Sequence, residues 1–248
     1  MRLALALAAA LATAAPLAQA EGLTNMTEEE RAAFGEAVRA YLLENPEVIM
    51  EAITELQARE DKAAVNRDLQ MMADNKDAIY NSPDDWQGGN LQGDITIVEF
   101  MDYRCTYCHK AFQEVSELVT QDGNIRFVLK EFPILGEQSV LTSKFAIATR
   151  LLHGDDAYKK VHDALFAMRG DATDETLSRI AVDLGFDPAA ILAKMKAPEV
   201  QAVIDGNYAL AQIMDISGTP TFVIDQTMVR GYVPLQGMQQ IVAEQREG

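Results

Sequence analysis

Cys105 and Cys108 are the only two cysteines in the 248-residue chain, set two residues apart in Arg104-Cys105-Thr106-Tyr107-Cys108-His109. The segment follows an apolar, β-branched stretch and opens a helical pattern, which places Cys105 at a helix N-terminus. Unpaired N–H groups and the helix dipole there stabilise a thiolate and lower a thiol's pKa below its free value of about 8.5. In a C-x-x-C spacing the first cysteine is the more exposed and takes that benefit. Cys105 is therefore expected to be the nucleophile and Cys108 the resolving thiol, closing a redox-active disulfide that moves two electrons by thiol–disulfide exchange. A purely stabilising bridge is the competing use, but closing so short a loop gains little chain entropy.

His109 follows Cys108, and C-x-x-C-H also spells c-type haem attachment. Against haem, the motif occurs once, lies in a strand-helix-strand pattern, and none of the 11 methionines stands out as an axial ligand. Copper(I) on the two soft thiolates is chemically possible, yet no third ligand is evident. His153 and His162, nine apart in helical sequence, read as ordinary surface or core histidines. No cofactor and no resident metal are expected.

The elements that must hold the pair follow from periodicity. Asp94 to Phe100 (D-I-T-I-V-E-F) reads as a buried strand, about Lys110 to Thr120 as a helix, and Ile125 to Phe132 as a second strand closed by Pro133. Short connections favour a right-handed parallel crossover for this unit. Glu99 lies six residues before Cys105 in an otherwise apolar strand, and a lone buried carboxylate needs a partner or a purpose. From Gly136 to about Met214 the pattern is helix after helix. Thr173-x-x-Thr176 opens one of them, and Asp187-Pro188 and Pro198 start two more. Thr221 to Ile224 and Met228 to Tyr232 then form a hairpin, and Pro234 begins a last helix.

Upstream, Thr27 and Glu30 make a capping box, and Asn45-Pro46 stops one helix and starts another. From Pro46 to about Asn75 no glycine or proline intervenes, giving a helix roughly 45 Å long. Its apolar stripe (Ile49, Ile53, Leu56) is too thin for a core and needs a partner, so this stretch reads as an oligomerisation arm in preference to the other reading, a solvated helix lying on the main domain. Ser82 to Asn90 reads as a loop or domain boundary.

Lys+Arg 21 against Asp+Glu 38 gives a formal charge of -17. Such an acidic chain is not suited to nucleic acid or to an anionic membrane surface. Arg2, the apolar run Leu3 to Leu17 and Ala18-Gln19-Ala20 read as a signal peptide cleaved after Ala20. The expected compartment is therefore a bacterial periplasm, which permits disulfides. The expected organisation is a leader to residue 20, a helical arm over 21–78, and a catalytic domain over 79–248 with a helical insertion at about 136–214.

Val98-Glu99-Phe100, Cys105-Thr106-Tyr107-Cys108 and Gly218-Thr219-Pro220-Thr221-Phe222 together resemble the thioredoxin superfamily, specifically the DsbA-like periplasmic thiol-disulfide oxidoreductases. The N-terminal region looks like that of the ScsC (suppressor of copper sensitivity) proteins, some of which are trimeric isomerases. The resemblance implies an α/β thioredoxin-like fold with an inserted helical subdomain. It implies that Pro220 is cis beside the active-site pair and that Thr219 offers its backbone to a substrate chain. It makes Glu99 the acid that helps move the Cys108 proton, with Lys130 as its charge partner; an outward-facing lysine near a strand end is the other reading of Lys130.

The resemblance also bears on direction. Strongly oxidising relatives carry His before the second cysteine, where this chain has Tyr107, and Thr219 resembles the isomerases and reductases. Thr106 departs from the usual Pro or Gly. These residues favour a disulfide isomerase or reductase acting on misoxidised secreted proteins as a homo-oligomer, kept reduced by a DsbD- or ScsB-like membrane reductase. The alternative is a dithiol oxidase served by a DsbB-like oxidant.

Overall fold

The computed structural model describes residues 26–247; the expected signal peptide lies outside them. The chain divides into two compact units at Asp61/Lys62. That boundary falls inside a helix, rather than at Ala78 as expected.

The first unit contains α1 (Glu28–Glu44) and the beginning of α2 (Glu47–Asp74). Thr27 caps α1 with the expected reciprocal box: its Oγ1 accepts from Glu30 N, and Glu30 accepts from Thr27 N at 2.9 Å. No residue of α1 is buried. Phe34, Val38 and Tyr41 recur at helical spacing on α1, as do Ile49, Ile53 and Leu56 on α2, and all six are exposed.

The second unit begins with the last turns of α2, followed by α3 (Lys76–Tyr80). Leu69, Met71, Met72 and Ile79 pack with Val98, Phe100, Val128 and Val223. This burial is why the unit starts before residue 79. A five-stranded sheet follows in the order β1-β3-β2-β4-β5, made of β1 (Trp86–Gly89), β2 (Ile95–Met101), β3 (Ile125–Glu131), β4 (Thr221–Ile224) and β5 (Thr227–Arg230). As the crossover argument requires, β2 and β3 pair in parallel, while the other pairs are antiparallel.

β1 occupies the stretch expected to be loop. Trp-Gln-Gly-Gly has no strand signature of its own, and its conformation comes from edge pairing with β3. Gly89 adopts φ +67°, and a Cβ there would stand 2.4 Å from the Ile125 carbonyl oxygen. Only glycine permits that approach. β5 ends at Arg230, before the left-handed Gly231, so Tyr232 leaves the expected hairpin.

α4 (Thr106–Asp122) lies between β2 and β3, and starts four residues before the expected Lys110. Between β3 and β4 come α5 (Glu137–His153), α6 (Asp155–Ala167), α7 (Asp174–Asp183), α8 (Pro188–Lys194) and α9 (Pro198–Ile213); α10 (Leu235–Glu247) closes the chain. Side chains alternate across a strand, so the sheet divides the core. Ile95, Ile97, Met101 and Leu129 face α4, while Val98, Phe100 and Val128 face the α2–α3 and α9 side.

Candidate active site

Cys105 is the N-cap of α4, with φ -77° and ψ 119°. Its Sγ accepts from Cys108 N at 3.4 Å, and its thiol donates to the Thr219 carbonyl at 3.1 Å. Cys105 is 7% exposed and Cys108 is fully buried. The Cys108 thiol donating to Cys105, with the backbone N–H groups of Cys108 and Tyr107, brings the Cys105 pKa down to about 5 despite burial. Burial, reinforced by Cys105 and by the charge of Glu99, pushes the Cys108 thiol far up. The helix start and the burial behind it thus shift the two thiols in opposite directions.

The Thr219–Pro220 peptide is cis. Thr221 Oγ1 donates to Gly218 O at 2.8 Å and Gly231 N to Pro220 O at 2.9 Å, fixing the loop beside Cys105. Thr106 and Tyr107 are exposed, and the Tyr107 ring stacks on Tyr232 with centroids 6.1 Å apart. Tyr232 is held by its hydroxyl on Glu114 Oε1 at 2.7 Å. His109 Nε2 lies 2.8 Å from the Tyr103 carbonyl, and its ring meets Phe166 edge-on. His109 therefore ties the first turn of α4 to the preceding loop.

Glu99 is buried, in register with Leu129 on the face that carries α4. Burial first, then the Cys105 charge, raises its carboxyl pKa to about 8. Lys130 is not its partner. The register sets Lys130 against Phe100, so its side chain leaves the opposite face of the sheet. There it is buried, donating to Ala78 O at 2.8 Å and to Asp85 Oδ2. Neither expected reading of Lys130 holds: it is not outward-facing, and its ion pair is with the loop before β1.

Several buried polar groups beside the cysteines carry no local sequence signal. Asp102 accepts backbone N–H groups from Arg104 at 2.7 Å, Ile134 at 2.8 Å and Leu135 at 3.0 Å, joining the two loops at the end of the sheet. Glu131 accepts from the Tyr103 hydroxyl at 2.9 Å, the Tyr158 hydroxyl at 2.7 Å and the Ser143 hydroxyl at 2.6 Å. His162 Nδ1 lies 3.0 Å from the Tyr103 hydroxyl, and burial brings its pKa down to about 3. This network fastens the helical insertion to the loop that carries Cys105. The alternation in β3 places Glu131 on the Glu99 face, which is the one cue the sequence held.

Among the described residues no group of three or more His, Cys, Asp or Glu side chains is arranged to hold a metal, and no helix is long and apolar enough to cross a membrane.

Residues 96–243 match the DsbA-like thioredoxin domain, and residues 30–63 match the copper resistance protein ScsC N-terminal domain. A thioredoxin-like oxidoreductase from Silicibacter pomeroyi is 40% identical, with a TM-score of 0.65 over 70% of this chain and 99% of that one. A Proteus mirabilis ScsC variant, at 20% identity, shares the fold over 91% of this chain and 99% of its own, with a TM-score of 0.68. Among curated sequences, a Na(+)/H(+) antiporter NhaA 1 from Salinispora arenicola is 29% identical over 141 residues, 55% of this chain. The chain spans about a fifth of the length of that relative, 21%. A thiol of lowered pKa on a helix start, a buried second thiol and a facing cis-proline loop form the arrangement of a thiol-disulfide oxidoreductase, and the chain belongs to the DsbA-like thioredoxin-domain family, preceded by an ScsC-type N-terminal segment.

Proposed function

We propose that the protein is a periplasmic protein-disulfide isomerase or reductase: the opposite tuning of Cys105 and Cys108 carries the exchange chemistry, and the uncharged Tyr107 before the second cysteine favours this direction over oxidation. The Cys105 thiolate attacks one sulfur of a substrate disulfide and expels the other as a thiolate, leaving a mixed disulfide. If the expelled thiolate, or another on the substrate, attacks the mixed disulfide, the substrate is rearranged with no net change in electrons. If release is slow, Cys108 attacks Cys105 Sγ. The substrate then leaves reduced by two electrons, and Cys105–Cys108 is oxidised. Cys108 must lose its proton for that step, and the buried Glu99 carboxylate beside it takes the proton when ionised, so the step is expected to quicken as the pH rises towards the raised Glu99 pKa of about 8.

Thr219 and Pro220 line the position where the substrate chain meets Cys105. Tyr107, stacked on Tyr232, adds no positive charge beside the Cys105 sulfur, and a thiolate lacking that extra stabilisation makes a less oxidising disulfide. The exposed apolar positions of α1 and α2 suit assembly between copies of the chain, as a trimer or another small oligomer. Substrates are misoxidised secreted proteins, and a membrane reductase of the DsbD or ScsB kind keeps the pair reduced. The second reading, a dithiol oxidase with a DsbB-like oxidant, rests on the same low Cys105 pKa.

Reactivation of a scrambled multi-disulfide protein in glutathione buffer tests the choice. The Ile49→Asp/Ile53→Asp chain is expected to dissociate and lose about tenfold or more of its reactivation, because linked sites act at high effective concentration. It should keep its reduction of a small disulfide. Undiminished reactivation by dissociated chains would remove the arm from the account. Rapid oxidation of reduced protein without any reactivation by the unaltered chain would establish the oxidase.

A further inference from the structure

Beside the cis-proline loop, on the α9 side of the sheet, lies an open pocket of about 490 Å³ that the exchange chemistry does not use. Phe132, Ala211 and Ile216 form its buried floor, Tyr208 a wall, and Asp215 and Ser217 its edge. The wall is fixed: the Tyr208 hydroxyl donates to Pro133 O, and its ring meets Phe132 with centroids 5.3 Å apart. Ser217 is two residues before Thr219, whose carbonyl accepts from the Cys105 thiol at 3.1 Å. An extended chain advances about 3.3–3.6 Å per residue. A substrate lying along residues 217–219 with its cysteine at Cys105 therefore brings a residue two or three positions away over this pocket.

The pocket's chemistry selects the occupant. Among the described residues the Asp215 carboxylate has no ion pair and no side-chain hydrogen bond. The nearby Arg230 guanidinium pairs with Asp68 at 2.8 and 2.9 Å; the Asp215 charge acts on it, but its only hydrogen bond to Asp215 is at the backbone carbonyl, 3.4 Å away. An aromatic wall with a free carboxylate at its edge suits a cation on an apolar stem, and the chain's net charge of -17 favours the same sign of partner. We propose that this pocket is a specificity site for the substrate chain, taking an arginine or lysine within three residues of the target cysteine, with the stem on Tyr208 and Ile216 and the cation at Asp215. This rests on Cys105 being the residue that bonds to substrate.

The test starts from the full chain carrying Cys108→Ser with Cys105 held as its mixed disulfide with mercaptoethanol, made with hydroxyethyl disulfide, and measures, by competition, how reduced single-cysteine peptides expel mercaptoethanol and take its place on Cys105. The peptides carry Arg, Leu or Glu two residues from the cysteine, on either side. Arg is expected to exceed Glu by about tenfold at low ionic strength and to exceed Leu by less, with the advantage shrinking in about 0.5 M salt. Asp215→Asn should bring Arg down to the level of Leu without changing exchange with mercaptoethanol. Adducts formed with no preference for Arg over Leu, or a preference that survives Asp215→Asn, would overturn the pocket while leaving Cys105 as the substrate-bonding thiol. Absence of any peptide adduct where mercaptoethanol still reacts would overturn the reading beneath it as well.

Discussion

Cys105→Ser is expected to abolish exchange with protein disulfides, a loss of at least about a thousandfold, whereas Cys108→Ser should stop their net reduction and accumulate mixed disulfides. The difference follows from what each sulfur does. Removing Cys105 removes the only low-pKa thiol at the start of α4. Cys108 cannot replace it, because it is fully buried and burial keeps it protonated. In Cys108→Ser the Cys105 thiolate is kept, since a serine hydroxyl can donate to it as the Cys108 thiol does and the backbone donors are unchanged. Mixed disulfides then form and persist because nothing inside the protein resolves them. Non-reducing gel electrophoresis after mixing with a disulfide-containing protein separates the cases: covalent adducts with Cys108→Ser, none with Cys105→Ser. Adducts formed through Cys108 in Cys105→Ser would reverse the assignment.

The second large effect lies away from the chemistry, on the other face of the sheet. Lys130 and Asp85 form an ion pair in which both side chains are 1% exposed. Asp85→Ala leaves the Lys130 ammonium buried with only the Ala78 carbonyl, and breaking such a pair from one side costs about 3–5 kcal/mol. Burial raises the Asp85 pKa to about 6 even against the Lys130 charge. The pair is therefore held at a desolvation cost, and replacing both members should cost less than replacing one. Urea unfolding is expected to show a large loss for Asp85→Ala and a substantially smaller one for Asp85→Leu/Lys130→Met. Equal losses would mean that the pair stabilises the fold beyond relieving two buried charges. Cys105 reactivity should be unchanged in the folded double variant, because Lys130 does not face Glu99.

These outcomes separate what the sequence revealed from what it concealed. Local chemistry was legible: the caps at Thr27, Thr173 and Asp187, the helix starts at Pro188 and Pro198, and the cysteine pair at the beginning of α4 all depend on residues within one turn. β1 was not legible, because Trp-Gln-Gly-Gly becomes a strand only through pairing with β3. The side of the sheet that Lys130 takes is hidden in the sequence for a related reason. A single step along a strand reverses the face, and proximity in neighbouring strands does not say which neighbours share one. The Glu131 network draws Tyr103, Ser143 and Tyr158 from three separate elements, so no window of sequence contains it. The division at Asp61/Lys62 was hidden inside an unbroken helix, whose periodicity continues while its environment changes.

Exchange by this protein depends most directly on Cys105 being a thiolate at neutral pH while Cys108 is not. The measurement that tests this is thiolate absorbance of the reduced protein against pH, in the unaltered chain and in each serine variant. A transition with its midpoint near pH 5 is predicted for the unaltered chain. It should persist in Cys108→Ser and vanish in Cys105→Ser, with no further thiolate from Cys108 at neutral pH. A midpoint in the range of a free thiol, about 8.5, or a low-pH transition that disappears with Cys108 rather than Cys105, would contradict it.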